Sequence, residues 1–282
     1  MSQKTIKWLI DDMMGDPHYG GGFHSSLKTL NRDFIVFKDS PIKEVGNLRL
    51  EDDEDATYLV YGSLQFVEKA SKRFPNVVSF GPNDNYLFSH YASHLPASIF
   101  LSEDYSYITL SFLKNKEQRK SLIKQYGDSK VFIRPNSWKK LFSGQIINLL
   151  DETEISNFFR IAGGSDSTFV VVSSVKNITN EYRFFVSKEK GVIAGSTYSA
   201  GDRTKEVSEW PKEAEEKALE VMSAFGDNSP DSFIVIDIAK NTDDEYKLVE
   251  INCVSCSGAY DSNTDAIIKE SERIILDEIN IS

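Results

Sequence analysis

Apolar residues in this chain cluster into strand-length runs separated by glycine, asparagine and acidic breaks. Short runs bounded by turn residues predict strands, and apolar positions recurring three and four apart predict helices. Thr5 to Ile10, Asp33 to Phe37, Thr57 to Tyr61 and Asn76 to Phe80 read as strands. Ser25 to Leu30 and Leu64 to Phe74 read as helices between them. This alternation indicates a small parallel α/β layer over about the first 100 residues. A helix is expected over Asn85 to Leu95, with His90 and His94 on one face. The two histidines are either packed at the surface or a partial metal site, which would want a third ligand. Beyond Pro96 the pattern changes, and the charged segment Lys114 to Lys120 reads as a helical link, with a boundary near residue 105.

The second half carries longer apolar runs. Val131 to Arg134 reads as a strand stopped by Pro135, and NSWKKLFSG, from Asn136 to Gly144, as a loop before another strand. Ser156 to Ile161 is expected to be helical up to Gly163-Gly164. Ser167 to Val175, Glu181 to Val186 and Gly191 to Tyr198 read as strands. Pro211 to Phe225 has a proline suited to a first turn, acids near its start and the core stripe Ala214, Ala218, Val221, Met222 and Phe225. Thr264 to Ile279 closes the chain as a helix.

Polar residues inside apolar runs supply the candidate chemistry. FIVIDIA and YKLVEIN are split by the turn Asn241 to Asp244, the pattern of two adjacent strands. Asp237 interrupts the first run, and Glu250 and Asn252 share a face of the second. Three hard oxygen donors on paired strands suit Mg²⁺, which takes one or two carboxylates plus phosphates; an amphipathic hairpin with its polar face in water is the other reading. Arg134 at a strand end and Lys140 on a small-residue loop suit a polyphosphate, or form an exposed basic hairpin. EYRFFV puts Glu181, Arg183 and Phe185 on one side, and an arginine there is costly to bury without an anion. Asp11 to Gly22 is a glycine-rich loop without a Walker or GxGxxG pattern, so it reads as a plain loop or a substrate-side one. Cys253 and Cys256 form a CxxC without a second pair, better read as a small-residue loop than as a redox or zinc motif.

Composition narrows the class. With 40% hydrophobic and 27% charged residues, 282 residues make a soluble globular chain of one large or two to three smaller domains. Its apolar runs fall far short of the ~20 residues that span a bilayer. The start lacks signal-peptide shape, and two cysteines fit a reducing, cytoplasmic setting. A net charge of −11 argues against a general nucleic-acid surface but leaves room for a small anion held by a local basic cluster.

From about residue 130 to 280 these pieces, in this order, resemble the ATP-grasp superfamily. The matching elements are Arg134-Pro135, the loop Lys140 to Gly144, VVVSSV, EYRFFV, IVIDIA and the terminal VEIN. More narrowly the chain is similar to the phage- and bacteria-borne clade with a K-x-F-x-G loop and an EYR strand. The resemblance implies a pre-ATP-grasp α/β domain over residues 1–105, then an ATP-grasp domain over 106–282. That second domain would comprise two α+β subdomains, 106–172 and 173–282. It implies ATP and two Mg²⁺ ions, with Asp237, Glu250 and Asn252 holding metal. Arg134, which replaces the usual lysine, and Lys140 would contact phosphates. Ser174 and Val175 would present hinge backbone to adenine, and Arg183 would face the γ-phosphate or an acyl phosphate. Lys140 and Arg183 are the implied catalytic groups. The implied activity joins a small-molecule or peptide carboxylate to an amine through an acyl phosphate, forming ADP. Phosphoryl transfer without ligation, or a non-catalytic nucleotide-binding or interaction module, are the alternatives. The acceptor is expected between the Gly20 to Gly22 loop and Ser196 to Arg203, with no nucleic acid or membrane partner.

Overall fold

A computed structural model describes residues 5–12, 22–38, 41–47, 56–199, 202–207 and 209–281. The chain begins with β1 (Thr5–Asp11), α1 (Phe23–Thr29), β2 (Asp33–Phe37), α2 (Pro41–Asn47), β3 (Ala56–Tyr61), α3 (Leu64–Arg73) and the short β4 (Val77–Val78). All four strands pair in parallel in the order β2-β1-β3-β4. Parallel neighbours need crossovers, which the three helices supply. Leu9, Val60 and Phe66 pack on one side of this sheet, and Trp8, Ile10 and Tyr61 on the other.

The helix expected over Asn85 to Leu95 is instead a 3₁₀ turn (Asp84–Tyr86), the short α4 (Phe88–Tyr91) and a second 3₁₀ turn (Ala92–His94). Leu87 between them is extended at φ −64°, ψ 134°. On a regular helix residues 86 and 88 would point to nearly opposite sides; the break lets Tyr86, Phe88 and Tyr91 all enter one core. His90 and His94 rest with ring centroids 5.1 Å apart.

Next come β5 (Ser106–Thr109), α5 (Leu110–Lys114), α6 (Lys116–Tyr126), β6 (Lys130–Pro135), β7 (Gln145–Asn148), α7 (Glu152–Ala162) and β8 (Phe169–Ser174). The strands form an antiparallel sheet in the order β5-β8-β6-β7, with the three helices on one face. The charged segment at Lys114 to Lys120 is therefore no link between parts. Leu113 and Leu122 bury against this sheet, and the buried Arg119 donates to the carbonyls of Leu113 (2.8 Å) and Leu149 (3.0 Å).

A third sheet contains β9 (Ile178–Ser187), β10 (Gly191–Ser199), β11 (Asp202–Val207), β12 (Phe233–Asn241) and β13 (Tyr246–Cys253), antiparallel in the order β11-β10-β9-β12-β13. The helix α8 (Lys212–Phe225) lays its alanine, valine and phenylalanine stripe on one face, against Phe184, Ile234 and Ile236. Its first helical residue is Lys212, with Pro211 as the cap. The other face meets the first sheet and α9 (Thr264–Ile281), where Ile267, Ile268, Ile274 and Ile275 pack with Trp8, Phe23 and Phe233. Covered on both faces, Phe233 to Ala239 is buried throughout, which is why its apolar run does not alternate. Among the described residues no helix is long and apolar enough to cross a membrane.

Candidate active site

Strand register assembles the site. Ser196, Arg183, Asp237 and Glu250 lie opposite one another across β10, β9, β12 and β13, in a single polar rank. The register shifts after Asp237, where Val249 is the extra residue of a bulge. Bulges bend a strand and re-aim its side chains. Arg183 grips Asp237 with a fork: Nε donates to Oδ1 at 2.8 Å and Nη2 to Oδ2 at 2.7 Å. Asn252 lies one rank further on, opposite Val235, and its amide donates to Asp237 Oδ2 (3.1 Å) and Glu250 Oε1 (2.9 Å). The three oxygen-bearing side chains expected to converge do meet.

The basic groups arrive from the second sheet. Arg134, at the end of β6, donates to Glu250 Oε2 and to the Val249 carbonyl, both at 2.9 Å. Its guanidinium also lies 5.2 Å from the Phe88 ring centroid. Lys140 reaches to 3.9 Å from Glu250 Oε1 and is 55% exposed, free to follow a ligand. The loop that carries it is pinned at both sides of its motif. Phe142 is buried against Phe158, and Gly144 lies so close to Phe132 that a Cβ would come within 2.6 Å of Cζ. At its start, Asn136 and Ser89 exchange two hydrogen bonds of 2.9 Å, and Trp138 Nε1 donates to Asp84 at 3.1 Å.

These walls enclose a cleft of ≈ 370 Å³ between β6 with its loop and the edge of the third sheet, within the range of small-ligand sites. Burial pushes the Asp237 carboxyl above its ordinary value against the pull of Arg183. Burial acts the same way on Glu250, but Lys140, Arg134 and the Asn252 amide outweigh it and hold that carboxyl down at about 2. Among the described residues no three His, Cys, Asp or Glu gather as a metal cluster. The donor set is two carboxylates and one amide, which fits a hard, oxygen-seeking cation such as Mg²⁺ and not a soft one.

Other expected residues stand apart. The Ser174 N–H donates to Asp104 at 3.3 Å, and neither Ser174 nor Val175 lines the cleft. Cys253 and Cys256 are free thiols on its inner wall. Within the glycine-rich loop residues 13–21, and at residues 200–201, the expected acceptor region lies outside the described residues, as does the Arg203 side chain. Sequence reasoning missed Asn136, Ser89, Trp138 and Tyr260. Trp138, within a small-residue loop, was the one available signal; nothing in the apolar pattern marks the others.

Comparison with known proteins matches this geometry to a family. A model of the ATP-grasp domain, clade family 2, matches residues 114–269, more than half of the chain. The chain belongs to that ATP-grasp family. Comparison with curated proteins finds no match. Among solved structures, D-cycloserine synthetase DcsG is 12% identical with a TM-score of 0.60, covering 94% of this chain and 99% of its own. The D-alanine–D-alanine ligase of Coxiella burnetii is 9% identical with a TM-score of 0.59, covering 99% and 100%. ATP-grasp ligase PsnB, complexed with precursor peptide PsnA2 and AMPPNP, is 12% identical with a TM-score of 0.51, covering 89% and 90%. At these identities the likeness shows a shared ATP-grasp fold.

Proposed function

We propose that this protein is an ATP-dependent carboxylate–amine ligase that forms an acyl phosphate and releases ADP and phosphate. One observation carries the reading. In a chain of the ATP-grasp family, two cationic side chains and the Asp237–Glu250–Asn252 set meet in one cleft. Enzymes of the same fold named for D-cycloserine or D-alanine, and one complexed with a precursor peptide, support small-molecule or peptide substrates.

Arg134 and Lys140 bind phosphate oxygens, the first as a fixed fork and the second as a mobile point charge. Ser174 and Val175 serve the adenine end through their backbone, with the apolar wall at Phe132 available for stacking. Asp237, Glu250 and Asn252 would hold two Mg²⁺ ions. When bound, Mg²⁺ neutralises charge on the phosphate oxygens. Arg183 keeps Asp237 oriented and adds positive charge near the reacting acyl group. A substrate carboxylate oxygen attacks the γ-phosphorus and ADP leaves; the amine then attacks the acyl carbon and phosphate leaves, with one proton released. Positioning and charge neutralisation suffice, and no protein nucleophile takes part. We further assign residues 1–105 to a pre-grasp domain, 106–172 and 173–282 to the two ATP-grasp lobes, and the free thiols to a cytoplasmic setting.

Incubation with ATP, Mg²⁺ and pooled amino acids and short peptides, followed by mass spectrometry, tests the reading. The expected result is a condensed product, lighter by water than its parts, formed with one equivalent of ADP. A phosphorylated acceptor without condensation would instead favour phosphotransfer.

A further inference from the structure

Among the described residues four non-glycine residues have positive φ. Asn31 (53°) and Asp244 (64°) are types that adopt left-handed turns readily, but Lys140 (46°) and Tyr260 (49°) are not. Lys140 belongs to the phosphate loop. Tyr260 takes no part in the steps above, and a strained backbone persists only where its surroundings hold it.

What Tyr260 touches is Arg183, whose guanidinium carbon lies 4.8 Å from the ring centroid. Two residues earlier, the Gly258 carbonyl accepts from Arg183 Nη1 at 3.1 Å. Asp237 takes the opposite edge of the guanidinium through Nε and Nη2. Arg183 is thus held at two edges and on one face, and residues 258–260 supply two of those three constraints. The strap is itself anchored: Tyr61, ending β3, donates to the Ser257 carbonyl at 2.6 Å, and Ser257 Oγ donates to the Cys253 carbonyl at 2.7 Å.

We propose that Tyr260 is a positioning residue whose ring fixes the plane of Arg183 and, through that fork, the orientation of Asp237. The proposal rests on the reading of Asp237 as a Mg²⁺ ligand. Edge hydrogen bonds leave a long side chain able to swing out of plane. An aromatic face against the cation removes that freedom, and partners that orient a ligating carboxylate tune its affinity for metal. The left-handed turn is what brings the ring back over Arg183 immediately after Gly258.

The test follows melting temperature at fixed ADP while Mg²⁺ is titrated, and reads the Mg²⁺ midpoint of stabilisation. Tyr260→Leu is expected to raise that midpoint about fivefold or more. Tyr260→Phe, which keeps the aromatic face, stays near wild type. Tyr260→Gly, which accepts the positive φ without strain, keeps the ligand-free protein folded yet shows the same weakened Mg²⁺ response. In an Arg183→Lys background Tyr260→Leu adds little, because the two residues act as one unit. A Leu variant that melts lower without ligand but keeps the wild-type midpoint overturns the proposal, as does full additivity with Arg183→Lys. Absence of any Mg²⁺-dependent stabilisation by ADP in the wild type is a different outcome, which overturns the ligase reading and this proposal with it.

Discussion

Glu250 and Asp237 occupy one rank of the third sheet, yet their surroundings push them apart. Glu250, held at about 2 against burial by Lys140, Arg134 and Asn252, has a folded pKa below its ordinary 4.5. Its contribution to stability is therefore complete above about pH 4.5 and lost as the pH falls towards 2. Glu270, also at about 2 where burial is outweighed by Arg273, Lys190 and Ser187, adds to the same acid limb. Urea midpoints should accordingly fall steeply between pH 5 and pH 2.5, roughly the window set by those values. Asp231 has the opposite sign. Burial raises it from 3.8 to about 6, so its ionisation opposes folding above that pH. Asp231→Asn, which can still accept from the Ser232 N–H, should stabilise the protein at pH 7 by about 1 kcal/mol and have little effect below about pH 4. Denaturant curves at the two pH values decide it, and equal effects at both would refute the assignment.

The loop from Asn136 to Gly144 works as an element because its ends are fixed while Lys140 is free. Phe142→Ala leaves a cavity beside Phe158 and should cost about 3–5 kcal/mol. Gly144→Ala should cost less stability but weaken nucleotide binding several-fold, since its methyl must displace the Phe132 ring from the cleft wall. Calorimetric titration with ATP beside a melting curve separates the two effects. Much at this scale was legible in the sequence. The strands of FIVIDIA and YKLVEIN, with their three oxygen donors, stood out because a carboxylate inside a buried run must have a reason. The need of Arg183 for an anion was legible too, but alternation gives only the face of a strand, and the pairing with Asp237 comes from register. The break at Leu87 was not legible, because tertiary burial of Tyr86 and Phe88 overrode helical spacing. The burial of Arg119 escaped for a similar reason: its carbonyl partners at Leu149 and Leu113 are brought to it by the packing of two helices on a sheet.

Across the whole molecule, the first sheet, α9 and the third sheet share one core, while the second sheet brings Arg134 and Lys140 to the far side of the cleft. A chain of net charge −11 thereby concentrates cations at one place, enough for a nucleotide and too few for a nucleic acid. The proposed activity depends on that cleft binding nucleotide with metal. A thermal shift with ADP, with and without Mg²⁺, on wild type and on Glu250→Gln, measures this directly. Ligand at a hundredfold excess over Kd adds about 2.7 kcal/mol to a protein that binds it only when folded. The expected result is a clear Mg²⁺-dependent rise in melting temperature that Glu250→Gln reduces. No shift at millimolar ADP, or an equal shift in the Glu250→Gln protein, would contradict it.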